Sequence, residues 1–272
     1  MTDAISFSWR AALDAALNLV YPPVCQICRE ERAGAAEGYV GDQCRGGVRF
    51  VTAPFCERCG LPFDGEISQA FECANCQEMT LHFRSARSAV LADSLMLEVI
   101  HRYKYNRALW FEPFLAGLLI SRAAPVLAAE SWDYIVPVPL FPVKKREREF
   151  NQAERLAARL GHAANIEVNK GLLRRVKPTA TQTRLTREQR AANVREAFAY
   201  CGGKKLDGEK IVLLDDVLTT GATTNACARA LRKAGAGEIC VWTAARATMS
   251  GTTQRFRKGD VKIGATRSPA AG

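Results

Sequence analysis

The chain has 272 residues, a net charge of +10, 48% hydrophobic and 24% charged residues. This is ordinary globular composition, long enough for one large unit and a small one, and it excludes a chain too polar to bury a core. No membrane span is expected, because the most apolar stretch, Phe111 to Ala129, is interrupted by Glu112, Pro113, Arg122 and Pro125.

Residues 5–20 have helical periodicity, which Pro22-Pro23 stops. The start lacks a basic n-region and carries Asp3 and Asp14, so a cytoplasmic location is expected. Seven of the ten cysteines follow, as Cys25-x-x-Cys28, Cys44, Cys56-x-x-Cys59 and Cys73-x-x-Cys76. A C-x-x-C knuckle aims two thiolates at one metal, and two knuckles make a tetrahedral zinc site. Cys56, Cys59, Cys73 and Cys76 have that pattern. Cys25, Cys28 and Cys44 are one ligand short, because Gly41 sits where a fourth pair would begin. Asp42 or His82 is expected to complete a second site, unless 25/28 share a metal with 56/59. The zinc is read as structural, since four thiolates leave no open position and a front of about seventy residues needs a staple.

Beyond the front, Ser88 to Ala92 reads as a strand and Asp93-Ser94 as the cap of a helix through His101. A helix is expected over Ala108 to Ala123, a strand over Asp133 to Val138, and a helix over Phe150 to Leu160 ended by Gly161. Ile166 to Leu173 is partly extended and Thr186 to Val194 a short helix. Ile211 to Leu214 is a buried strand, Ala226 to Ala234 lies on a helix stopped by Gly235, and Glu238 to Ala244 is the last strand. The alternation predicts a parallel α/β domain over 85–248, after a front unit of 1–84 and before a disordered basic tail of 249–272. Two basic clusters, Lys144 to Arg148 and Lys170 to Arg195, favour a polyanion.

The stretch Ile211 to Asn225, IVLLDDVLTTGATTN, carries most of the functional information. An apolar strand leads into Asp215 and Asp216, then into the small turn Thr219, Thr220, Gly221, Ala222 and Thr223, where a helix begins. A turn opening a helix offers unpaired N–H groups and the positive dipole end to an anion. Carboxylates repel phosphate, so the acids suit vicinal ribose hydroxyls, and a nearby metal would offset their repulsion. The pattern predicts a bound ribose 5-phosphate. Neither common nucleotide loop occurs.

This stretch resembles the phosphoribosyl-pyrophosphate (PRPP) motif of type I phosphoribosyltransferases. His101-Arg102-Tyr103-Lys104-Tyr105, Val136-Pro137-Val138-Pro139-Leu140, Arg148-Glu149-Phe150-Asn151-Gln152, and Arg175, Thr179, Gln182, Leu185, Arg190, Asn193 and Ala197-Phe198 accompany it. With the cysteine-rich front, the order resembles the ComF competence family, including its ComFC and GntX members. That resemblance implies a type I phosphoribosyltransferase-like parallel sheet flanked by helices, with a zinc-finger-like front. It also implies handling of incoming single-stranded DNA beside a competence helicase.

On that reading Asp215 and Asp216 hold the ribose hydroxyls and Thr219 to Thr223 cradle the 5-phosphate. The amides of Pro137-Val138-Pro139 approach the pyrophosphate, with Lys104 or Arg148 as counter-charge. Residues 175–193 form a flap with Arg190 as anion clamp, and Mg²⁺ bridges pyrophosphate and ribose. The family usually has Gly where Glu149 stands, and often has a fourth C-x-x-C where Gly41 breaks it. Two functions follow: a DNA-uptake accessory protein on a PRPP-binding scaffold, or a working transferase to an unidentified nucleobase or small acceptor.

Overall fold

A computed structural model describes residues 23–63, 65, 69–177 and 196–248. The expected helix over residues 5–20, most of the flap with its Thr186 to Val194 helix and Arg190, and the tail beyond Met249 lie outside the described residues. Two short helices, α1 (Asp42–Gly46) and α2 (Ala74–Gln77), belong to the cysteine-rich front. Then come β1 (Ser85–Leu91), α3 (Ser94–Tyr105), α4 (Glu112–Ala128), β2 (Tyr134–Pro137), α5 (Pro142–Arg148), α6 (Gln152–Ala164) and β3 (Glu167–Val168). The remainder is β4 (Leu173–Arg175), β5 (Phe198–Tyr200), β6 (Lys210–Leu218), α7 (Ala222–Lys233) and β7 (Glu238–Arg246).

Strands β1, β7, β6, β2 and β3 lie side by side in that order, all parallel, and β4 and β5 form a separate antiparallel hairpin. The apolar run Ile211 to Leu214 explains the central place of β6: all four residues are fully buried, as a strand covered on both faces requires. Val212 and Leu214 join the cluster of α3, α4 and α6; Ile211 and Leu213 join that of α7 and the hairpin. Glu112, at the start of α4, is buried and ion-paired to Arg155 and Arg159 of α6, which locks these two helices together.

The front segment closes the open edge of β1. The Val51 N–H donates to the Ala89 carbonyl (3.0 Å) and the Leu91 N–H to the Arg49 carbonyl (2.7 Å). This removes the hazard of an unpaired edge strand. Cys25, Val40, Cys44 and Val48 share one apolar cluster with α3 and α4.

Asp93 caps α3 as expected, accepting from the Met96 N–H at 3.1 Å. Several expected boundaries differ. The helix with Gly161 runs past it to Ala164 and ends at Asn165, which takes the left-handed conformation (φ 53°). Gly161 serves packing instead, since a Cβ there would lie 2.4 Å from Val168 Cγ2 and 2.8 Å from the Ile166 carbonyl oxygen. Helix α4 tolerates Pro125 because a proline in the last turn costs one hydrogen bond. With the preceding turn, Leu109–Ala128 is long and apolar enough to cross a membrane by length and composition. Here Phe114, Leu115, Leu119, Ala123 and Leu127 are buried in the core beside the sheet.

Candidate functional site

Strand β2 leads through α5 and α6 to β3 on one side, whereas its neighbour β6 leads through α7 to β7 on the other. The chain therefore leaves adjacent strands in opposite directions, opening a crevice at their carboxyl ends where α/β sheets bind ligands. Val138, Asp215, Asp216 and the threonine turn all lie there.

Gly221 makes the turn possible. Its φ of 77° is left-handed, and it N-caps α7 without a side-chain cap. The Ala222 N–H is 3.4 Å from Thr220 Oγ1, and Thr224 Oγ1 donates to the Gly221 carbonyl at 3.0 Å. The helix thus starts sharply, with its first-turn amides at the crevice. Arg246, at the end of β7 and 5% exposed, fixes the approach. Its guanidinium donates to the carbonyls of Leu218 (3.0 Å) and Thr219 (2.6 Å).

The strand expected to stop at Leu214 runs to Leu218, so both acids lie within it. Strand alternation then gives each its own face. Asp216 meets Lys104 of α3 (2.8 Å). Asp215 accepts the Asp216 N–H at 2.9 Å. Burial and then the Asp216 charge push its carboxyl up from 3.8 to about 7, against the pull of Lys104, the Asp216 amide and Arg175. Lys104, expected as a counter-charge to pyrophosphate, pairs with Asp216 here and offsets the charge of the acids.

One expectation fails at β2. The Val138 N–H donates to the Leu214 carbonyl (2.8 Å), and prolines have no N–H, so no amide of Pro137-Val138-Pro139 is free for pyrophosphate. Cations gather here instead. Burial, then Arg175 and Arg148, hold the Lys144 ammonium below its usual range. Arg175 is lowered by burial and by Arg148, against the attraction of Cys227 and Asp215. Arg148 also belongs to this basic corner; it stacks on Tyr105 and donates to Gln152 Oε1 (3.3 Å). Glu149 follows at φ 67°, so the position favours glycine. Beside it a cavity of about 810 Å³ opens between Pro139, α5 and the hairpin, edged by Arg146, Lys170 and Arg174. It excludes the acids and the threonine turn.

Sequence reasoning named Asn151 only as part of the Arg148 to Gln152 stretch and gave it no role of its own. Its side chain accepts from the Ala153 N–H (3.0 Å), capping α6, and donates to the Val138 carbonyl (3.1 Å). An Asn directly before a helical run is the signal that points to it.

Two groups of metal-ligand type form in the front. Cys56, Cys59, Cys73 and Cys76 converge, and so do Cys25, Cys28 and Cys44 with Glu31; within each group the donor atoms lie within 4.8 Å of one another. The pairs do not interleave. Neither Asp42 nor His82 joins the second group: Asp42 starts α1, and the His82 N–H donates to Asn225 Oδ1 of α7 (2.7 Å). Arg246 also approaches Cys59 Sγ at 3.7 Å, joining this front to the threonine turn.

The site thus combines a helix-flanked parallel sheet, an acid and threonine turn at its switch point and a front with two cysteine-rich clusters of metal-ligand type. The double zinc ribbon domain matches residues 16–79. The chain is 29% identical over 220 residues to "Competence protein F" of Haemophilus influenzae, covering 75% of this chain and 95% of that protein. It is 29% identical over 229 residues to "DNA utilization protein YhgH" of Salmonella typhimurium, covering 82% and 97%. "Competence protein ComFC" of Bacillus subtilis is 26% identical over 201 residues, covering 71% of this chain and 77% of that protein. The chain is thus similar over most of its length to proteins named for competence and DNA utilization. Among solved structures, adenine phosphoribosyltransferase from Leishmania tarentolae is similar over 54% of this chain and 74% of that chain, with TM-score 0.34 and 13% identity.

Proposed function

We propose that this chain is a cytoplasmic competence accessory protein that binds PRPP or ribose 5-phosphate between β2 and β6. Residues 1–84 act as a zinc-stapled front, 85–248 as the sugar-phosphate unit and 249–272 as a basic tail. The observation that carries the reading is the Gly221 turn, which opens α7 into a crevice flanked by the Asp216–Lys104 pair. The 5-phosphate sits on the first-turn amides of α7 with the hydroxyls of Thr219, Thr220 and Thr223. The ribose hydroxyls donate to Asp216, and Lys104 turns toward the anion as they do so. Asp215 acts from below through the Asp216 amide. Lys144, Arg148 and Arg175 neutralise pyrophosphate, and Mg²⁺ would add charge compensation between the diphosphate and the sugar.

Cys56, Cys59, Cys73 and Cys76 are the proposed ligands of a structural zinc. A closed all-thiolate set within 4.8 Å fits zinc and leaves no place for a reacting water. The basic corner and its cavity suit the phosphates of incoming single-stranded DNA, handed on by a helicase-like partner.

Calorimetric titration with PRPP and Mg²⁺ tests the site. Micromolar-range binding is expected, lost in the Asp215→Asn/Asp216→Asn variant; no heat in the wild type defeats the reading. A salt-sensitive gel shift with single-stranded DNA tests the DNA role. The cavity of about 810 Å³ favours a second reading, transfer of the phosphoribosyl group to a small acceptor held there. Pyrophosphate release with a nucleobase panel supports it, and silence across the panel removes it.

A further inference from the structure

The front contains two copies of one ribbon, and they differ in a compensated way. In the second, Cys56-x-x-Cys59 is followed by Gly60 at φ 63°, and the Cys73 N–H donates to Cys56 Sγ (3.3 Å). In the first, Cys25-x-x-Cys28 is followed by Arg29 at φ 66°, and the Gln26 N–H donates to the Tyr39 carbonyl (2.8 Å), two residues before Gly41, as the Glu57 N–H donates to that of Phe71 (3.0 Å), two before Cys73. Cys73 and Gly41 are each the N-cap of a short helix, with φ, ψ of −68°, 153° and −77°, 169°. Gly41 therefore stands at the backbone position of a ligand cysteine but has no side chain.

Glu31 fills that vacancy. A Cβ on Gly41 would lie 2.4 Å or less from the Glu31 Cδ, Cγ and Oε1 atoms. The amides of Gln43 and Cys44 donate to the two Glu31 carboxylate oxygens at 3.1 and 3.3 Å. Cys28 Sγ lies 3.7 Å from Oε1. The corresponding loop of the second ribbon, where the Cys56 N–H pairs with the Leu61 carbonyl as the Cys25 N–H pairs with that of Glu31, carries an apolar residue. One ribbon thus pairs Cys73 with Leu61, the other Gly41 with Glu31.

We propose that Glu31 is the fourth ligand of a second zinc site, with Cys25, Cys28 and Cys44. Three thiolates and one carboxylate carry the same charge as four thiolates, so the electrostatics of a Cys₄ site are kept. One harder oxygen donor lowers affinity for soft metals relative to the Cys56 site. The cysteine missing at position 41 removes no zinc; it changes the site's donor set.

The proposal rests on the zinc-ribbon reading, and the experiment separates the two. Zinc per chain and the zinc-edge X-ray absorption shell are measured on the full-length protein. Two zincs with seven sulfurs and one oxygen or nitrogen between them are expected. Glu31→Gln should weaken the more labile zinc by about tenfold or more in chelator competition and leave the other unchanged. Glu31→Ala/Gly41→Cys should restore two tight zincs with an all-sulfur shell, which also controls for misfolding of the single variant. One zinc per chain, or unchanged affinities in Glu31→Gln, overturns the assignment of Glu31 alone. No zinc at all overturns the ribbon reading beneath it.

Discussion

Asp215 and Asp216 are adjacent in sequence yet sit in different surroundings, because neighbouring strand residues face opposite sides. Asp216 has Lys104 at 2.8 Å, whereas burial and the Asp216 charge raise Asp215 to about 7. Without ligand, the folded chain keeps the Asp215 proton between 3.8 and about 7 while the unfolded chain has lost it. Stability from this group therefore falls as pH rises through that window, and the penalty is complete above it. Asp215→Asn should raise the unfolding free energy near pH ~8 by up to about 4 kcal/mol, read from denaturant unfolding, and do little near pH ~4. An equal effect at both pH values would refute the argument, as would no effect at either. Glu149 is the other informative residue. Left-handed backbone costs a residue with a side chain about 1–2 kcal/mol, and the Arg107 ion pair that Glu149 makes is exposed and weak. Glu149→Gly should stabilise the chain by about 0.5–1 kcal/mol, after the entropy cost of glycine, read from equilibrium unfolding.

At the scale of elements, the start of α6 is the joint between sheet and crevice. Asn151 both caps the helix and holds the Val138 carbonyl. Asn151→Ala should cost about 1–2 kcal/mol in stability and also weaken sugar-phosphate binding, because the end of β2 loses its tether. A stability loss with unchanged PRPP affinity would limit Asn151 to capping. In mid-helix, Gly161→Ala should destabilise by about 1–3 kcal/mol, because Val168 and the Ile166 carbonyl already occupy the space. The sequence marked this glycine as a stop signal. Its packing role was invisible, because it depends on the left-handed turn at Asn165 that folds Ile166 and Val168 back against the helix.

At the scale of the molecule, the ribbon and the sheet are one structure. Arg246 spans from Cys59 to the carbonyls of Leu218 and Thr219, and Asn225 of α7 bonds the backbone of Thr80 and His82. Zinc removal by a strong chelator should therefore lower the Tm and also weaken PRPP binding at the turn. A zinc-free chain that stays folded and binds PRPP with full affinity would separate the two regions.

What could be read along the chain was chemistry held within a few residues: the knuckles, the Asp93 cap, the apolar run of β6 and the acid and threonine turn. Each depends on hydrogen bonds and side-chain periods that span less than two helical turns, so local order suffices to reveal it. Partners drawn from distant segments were decided only on folding. Lys104 reaches Asp216 across 112 positions, Leu214 takes the Val138 amide, and Glu31 enters the space above Gly41. These pairings follow from the order in which strands are laid into the sheet and from the return of the ribbon loop, and local sequence carries no record of either.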